Sequence, residues 1–162
     1  ASYFILGEET DLAWRVWLSG LEVWYVPTVK SWHAFGCSEI KPKQDYYSLH
    51  RVHYRGCRNY LSLLITNLGG LRLLLILPMH ITAWCVAAVG FAGRGDWTRC
   101  RLILSAIWRV ARDWRNILAK RRTIQRSRVM SDRVLFQHIY YSPPTSYYLK
   151  RMWRYWVTQL HG

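Results

Sequence analysis

Residues 73–93 read LLLILPMHITAWCVAAVGFAG, a run of 21 residues that contains no formally charged side chain. A helix that rises about 1.5 Å per residue over this length can cross a hydrocarbon core of about 30 Å. Pro78 lies inside the run and is expected to kink the helix, because proline removes one of its hydrogen bonds. The run therefore predicts a helical segment associated with a membrane.

Basic residues lie on both sides of this apolar segment. Twelve Lys and Arg follow it between Arg94 and Arg133, and six lie upstream of it from residue 41 onward: Lys41, Lys43, Arg51, Arg55, Arg58 and Arg72. A single span would place one of these clusters outside the cell, against the positive-inside tendency. We therefore favour a re-entrant or interfacial hairpin on the cytoplasmic face of the cell membrane. A true span and a buried hairpin in a soluble core remain open.

The sequence on either side of the apolar segment predicts mostly helices. Residues 46–68 form one expected helix, which Gly69 and Gly70 interrupt. Residues 96–162 predict basic amphipathic helices in the membrane interface, the last of them dense in Tyr and Trp over residues 147–160. An apolar stripe at helical spacing is carried there by Ile103, Ile107, Val110, Trp114 and Ile117.

The composition of the chain limits the kinds of molecule that it is expected to bind. The 162 residues carry 23 Lys and Arg against 9 Asp and Glu, a net charge of +14, which favours anionic partners. Apolar residues make up 51%, so the chain is not a disordered tail. Ten Trp and eleven Tyr fit either a membrane interface or a nucleic-acid stacking surface. The four cysteines form no CxxC pair and are expected to be reduced thiols.

The first 45 residues differ from the rest. They hold six acids and four bases, whereas residues 46–162 hold three acids and nineteen bases. Residues 8–18 predict a helix that Gly20 ends, and residues 22–27 predict a strand that Pro27 stops, followed by a second short extended piece over residues 29–33. The expected fold class is therefore α/β, mostly α.

An acidic turn opens the first helix. Glu8, Glu9 and Asp11 lie within four positions, and such crowding favours proton uptake by one carboxylate or recruitment of a cation. A carboxylate in that state can act as a general base, although a simple solvated helix turn explains the same pattern. His33 is a second candidate, because imidazole can complete a divalent-metal site, and packing beside Trp32 is its alternative.

Taken together, four short segments and two further residues resemble one family: GEETDLAWR at 7–15, LSG at 18–20, VWYVP at 23–27 and SWH at 31–33, with Gly36 and Ser38. They resemble the C-terminal end of the catalytic domain of family 2 glycosyltransferases, inverting enzymes of the rhamnosyltransferase-like kind with a GT-A fold. The resemblance implies that residues 1–45 end a GT-A domain. A helical hairpin over 46–95 and interfacial helices over 96–162 would then form its membrane-associated tail, where the match is looser.

The resemblance also implies roles for residues. Glu9 matches the catalytic base, which takes the proton from an acceptor hydroxyl, while Glu8 and Asp11 flank it. The family more often has Asp at this position, so Asp11 is the second candidate for the base. His33 matches the histidine that helps to hold a divalent metal, Mg or Mn. The implied partners are a nucleotide-diphospho-sugar donor, a lipid-linked or glycan acceptor and the membrane surface.

Three arginines on the helix over 46–68 are candidates for binding a phosphorylated lipid acceptor: Arg51, Arg55 and Arg58. A face turned to lipid headgroups explains them equally well.

The family's nucleotide-binding half, with its Asp-x-Asp motif, would lie upstream of Ala1. We therefore expect this chain to be a fragment without turnover of its own. Two other readings stay open: a basic aromatic nucleic-acid-binding protein and a non-catalytic membrane scaffold. We predict no nucleic-acid partner, because the uncharged run argues against one and no RNP-like or zinc signature is present.

Overall fold

The computed structural model of the chain describes residues 7–30 and 50–139, together with residue 150. A π-helical segment, His50–Arg55, leads directly into the second α-helix. The α-helices are α1 (Glu8–Leu18), α2 (Gly56–Asn67), α3 (Gly70–Ala92), α4 (Trp97–Arg112), α5 (Trp114–Arg126) and α6 (Asp132–Ile139).

The prediction of an α/β fold that ends a GT-A domain is wrong for the described residues. Every regular element in residues 7–30 and 50–139 is a helix. Residues 22–27, predicted as a strand, are irregular and exposed, with Trp24 and Tyr25 turned to solvent. Val, Trp and Tyr favour strands only where a pleated, half-buried surface receives them, and the described part of the chain offers no neighbouring strand. The second extended piece lies largely outside the described residues.

Helix α1 has the bounds that its sequence predicts. Its acids lie in the first turn and Arg15 in the last, which matches the helix dipole at both ends. Gly20, at φ 79°, donates its N–H to the Trp17 carbonyl, and Leu21 donates to Val16. These two bonds form a Schellman motif, whose left-handed residue favours glycine, so the prediction that Gly20 ends the helix is confirmed.

The predicted break at Gly69 and Gly70 is confirmed, and side chains of α5 stabilise it. Arg121 donates hydrogen bonds to the carbonyls of Ile65 and Leu68. Gln125 donates to the two carbonyls between them, at 3.0 and 3.2 Å. The last carbonyls of α2, which have no partner inside their own helix, are thereby satisfied. Burial lowers the pKa of the Arg121 guanidinium from its usual value, and the neighbouring positive charge of Arg128 lowers it further.

The main core lies between α2, α3 and α4. Its buried members are Cys57 and Leu61 of α2, Ala88 and Phe91 of α3, and Cys100, Ile103, Ala106 and Val110 of α4. Ile103 and Val110 of the predicted apolar stripe thus pack inside the protein, whereas Trp114, at the start of α5, is exposed. Burial, and then the neighbouring Cys85, raise the pKa of the Cys57 thiol to about 12. Cys57, Cys85 and Cys100 are free thiols, as predicted for them.

The amphipathic segment after α3 is divided at Asp113. The Asp96 carboxylate accepts a hydrogen bond from the Arg99 N–H and caps α4. Asp113 then ends α4 and begins α5, with its Oδ2 2.8 Å from Arg109 Nε. Among the described residues, those up to Asp132 belong to one compact unit, and those from Arg133 onward belong to a second.

Candidate functional site

The carboxylate of Asp11 is the centre of a buried polar cluster that joins α1 to α2 and α5. Its side chain is 2% exposed. Asn67 Nδ2 donates to Oδ1 at 2.9 Å, and Lys120 Nζ lies 3.1 Å from Oδ2. Arg15 Nε lies 3.2 Å from the same oxygen. The crowded acidic turn has therefore recruited cations, and it has done so through Asp11.

The other two acids of the turn have different surroundings. Glu9 is exposed, on the first turn of α1. Glu8 is half-buried, and one of its carboxylate oxygens is shielded from solvent without a hydrogen bond from the described residues. Of the three, Asp11 is committed to ion pairs inside the protein, and the Glu9 carboxylate is the one open to an incoming molecule.

Of the remaining predicted site residues, the structure describes Arg55 and Arg58 with their side chains. His33 and the side chain of Arg51 lie outside the described residues. Arg55 lies in the π-helical segment, and Arg58 lies on α2 with its guanidinium 3.8 Å from the Asp113 carboxylate. Within the described residues, no group of three His, Cys, Asp or Glu side chains is placed to hold a metal. The metal and its histidine therefore stay predictions.

Two residues of the Asp11 cluster were missed in the sequence. Asn67 ends α2, and Lys120 is one of the twelve basic residues that follow the apolar run. A signal was available on α2, where Asn59, Ser62 and Thr66 recur at spacings of three and four on an otherwise apolar helix. Such a polar stripe predicts a face that meets polar partners, although it does not say which.

Helix α3 carries the second functional feature. It is long and apolar enough to cross a membrane by length and composition. One side packs in the core, and the other is open to solvent. We call this open side the apolar face of α3; it consists of Leu71, Leu74, Leu75, Met79, Val86 and Val89. Met79 is 70% exposed and Leu71 74%, so these large side chains are in contact with water unless another surface covers them.

No family model, no curated protein and no solved structure matches this chain. The candidate site therefore rests on its own geometry and on the sequence resemblance.

Proposed function

We propose that this chain lies on the membrane surface as part of a membrane-associated glycosyltransferase. The observation that carries the membrane part is the apolar face of α3, which runs along a 23-residue helix whose opposite side is packed. A membrane is the partner that matches it, because the chain also has a net charge of +14 and anionic headgroups attract basic helices.

The packing of α4 favours a helix that lies in the interface over one that spans the bilayer. Ile103 and Val110 of α4 share the core cluster with Ala88 and Phe91 of α3, so the two helices lie side by side. Arg109, between those two α4 residues, is exposed, as is Arg101. A spanning α3 would carry such arginines toward the hydrocarbon at about 2.5–3.5 kcal/mol each.

The outward positions of α4 are also typical of an interface. Trp97, Leu104 and Trp108 are exposed at spacings of seven and four residues, with Arg101 between the first two. Aromatic rings are favoured at the headgroup level, and arginine can extend its guanidinium toward water. The outward face of α4 is therefore suited to the membrane–water interface, next to α3.

The glycosyltransferase part rests on the resemblance of residues 7–38 and on the position of Glu9. Helix α1 is held to the rest of its unit by the Asp11 cluster and by the Leu18 carbonyl, which accepts from the N–H groups of Val129 and Met130 at 2.8 and 3.1 Å. The exposed Glu9 therefore belongs to the same compact unit as α3. Such an arrangement would fix a general base relative to a membrane-bound acceptor.

Membrane attachment is tested by fractionation after lysis. We expect the chain to remain with the membrane pellet in 1 M NaCl and to be released by non-ionic detergent, because burial of an apolar helix face is not screened by salt. A protein held by nucleic acid behaves in the opposite way, since its phosphate contacts are salt-sensitive. Complete release by salt alone would contradict the proposal.

The base is tested by Glu9→Gln in the longest polypeptide that contains this sequence. Membranes carrying it are supplied with nucleotide-diphospho-sugars labelled in the sugar, and transfer to the lipid fraction is measured. We expect Glu9→Gln to lower the rate about 100-fold or more, because a general base contributes roughly that factor.

Glu22→Gln is the matched control, since Glu22 is also exposed and lies outside α1. Its rate should equal that of the unchanged protein. Full activity in Glu9→Gln would exclude Glu9 as the base, and absence of transfer from every donor in the unchanged protein would contradict the enzymatic proposal while leaving membrane attachment intact.

A further inference from the structure

A cleft of about 210 Å³ lies between α2 and α5, on the polar stripe of α2. Arg58, Asn59 and Ser62 line it from α2, and Asn116 and Lys120 line it from α5. Asp113, at the junction of α4 and α5, also lines it. Pockets for drug-sized ligands are roughly 300–1,000 Å³, so this cleft suits a small polar group and not a whole sugar nucleotide.

The charges around the cleft do not cancel. Asp113 Oδ2 lies 2.8 Å from Arg109 Nε and 3.8 Å from an Arg58 nitrogen, so Arg109 is the closer partner of that carboxylate. Lys120 pairs with Asp11, which does not line the cleft. Of the charged side chains that do line it, Arg58 and Lys120 are cationic and Asp113 is anionic, two minus one, which leaves a surplus of one positive charge.

The donors that line the cleft match one kind of anion. A guanidinium presents N–H groups in a planar fork, an ammonium presents a compact charge, and an amide adds a neutral donor. Arg58, Lys120 and Asn116 supply these three groups from two facing helices. The three terminal oxygens of a phosphomonoester can engage several such donors at once, and charged hydrogen bonds of this type are the strong ones.

We propose that the cleft between α2 and α5 binds a phosphoryl group, as a phosphomonoester. If the proposed function holds, on which this assignment of the carrier rests, that group is the phosphate of a lipid-linked acceptor. A free phosphate shares the same chemistry. Arg58 is one of the three arginines that the sequence analysis names as phosphate-binding candidates. Asn116 and Lys120 are identified only by the packing of α5 against α2.

The test measures binding of two probes to the 162-residue chain in non-ionic detergent by titration calorimetry. The probes are inorganic phosphate and dodecyl phosphate. We expect saturable binding of dodecyl phosphate with one molecule per chain. Equal affinity for inorganic phosphate assigns the site to the free anion, and at least about ten-fold tighter binding of dodecyl phosphate assigns it to the lipid; both results support a phosphoryl site.

Two variants locate the binding in the cleft. Arg58→Gln removes a charged donor, and Asn116→Glu places a negative charge at an exposed position where folding should tolerate it. Each is expected to weaken dodecyl phosphate binding about ten-fold or more, the loss that follows from one charged hydrogen bond. Arg122→Gln is the matched control, because Arg122 is exposed on α5 and does not line the cleft, and its binding should be unchanged.

Two results would overturn the proposal: no saturable binding of either probe, or binding that Asn116→Glu leaves at the unchanged affinity while its thermal unfolding matches the parent chain. Neither result depends on membrane attachment or on sugar transfer. If the cleft does not bind phosphate, salt-resistant membrane binding and the role of Glu9 are still tested by their own experiments.

Discussion

Replacing Leu75 and Met79 together with glutamate is expected to weaken binding of the chain to anionic phospholipid vesicles by about 10²–10⁴-fold. The two side chains are 62% and 70% exposed in the folded protein. Burying a large apolar side chain is worth roughly 1.5–3 kcal/mol, so losing two such contacts with lipid costs about 3–6 kcal/mol. Each 1.4 kcal/mol corresponds to a factor of ten in affinity. The measurement is vesicle flotation over a range of lipid concentrations.

The matched control is Val29→Glu. Val29 is 70% exposed, as Met79 is, but it lies in the irregular segment after α1. This variant should bind vesicles as the parent chain does. If it loses affinity equally, added negative charge alone explains the effect and α3 is not the contact surface.

Folding of the double variant in detergent shows whether a loss of vesicle binding comes from lost lipid contacts or from a disturbed fold. Because both positions are in contact with solvent, the substitutions should leave the helical circular dichroism and the unfolding temperature close to those of the parent chain. A large fall in unfolding temperature would mean that this face packs against protein, and it would contradict a membrane-facing α3.

Local signals explain how well α1 and the α2–α3 break could be predicted. The acidic first turn of α1 and the glycine in its Schellman motif act within one helix, and the two glycines before α3 act within a few residues. The conformation of residues 22–27 could not be predicted reliably from the same kind of signal, because a strand forms only with a partner strand elsewhere in the chain.

The apolar stripe that begins on α4 shows that helical periodicity does not identify what an apolar face contacts. A spacing of four and three residues defines an apolar face, but a core and a membrane are equally apolar. Ile103 and Val110 of this stripe are buried in the core, while the face toward solvent is on α3. Periodicity alone therefore could not decide whether this stripe packs in a core or faces a membrane.

Part of the candidate site could be predicted from the sequence. The acidic turn is a local pattern, so Glu8, Glu9 and Asp11 could be singled out. Their different roles depend on Lys120, which is 109 positions away from Asp11, and on Asn67, which is 56 positions away. Only the packing of α5 and α2 against α1 reveals that Asp11 is a buried ion-pair partner while Glu9 is exposed.

Asp11→Asn is accordingly expected to lower the free energy of unfolding by about 3 kcal/mol, near the lower end for breaking a buried ion pair. The substitution keeps the size of the side chain and removes the charge that compensates Lys120. Lys120 is 27% exposed, so water recovers part of the loss, and Arg15, at 43% exposure, contributes little. The unfolding temperature should fall by roughly 6–12 °C, as measured by tryptophan fluorescence in detergent.

Glu9→Gln makes the same carboxylate-to-amide change two positions earlier and is the matched control. Since Glu9 is exposed, its unfolding free energy should stay within about 0.5 kcal/mol of the parent value. The pair of variants gives opposite expectations for stability and for sugar transfer. A stable Glu9→Gln protein without transfer supports Glu9 as the base. A stable Asp11→Asn protein without transfer would instead show that Asp11 acts in the chemistry and that its ion pairs do not hold α1 in place.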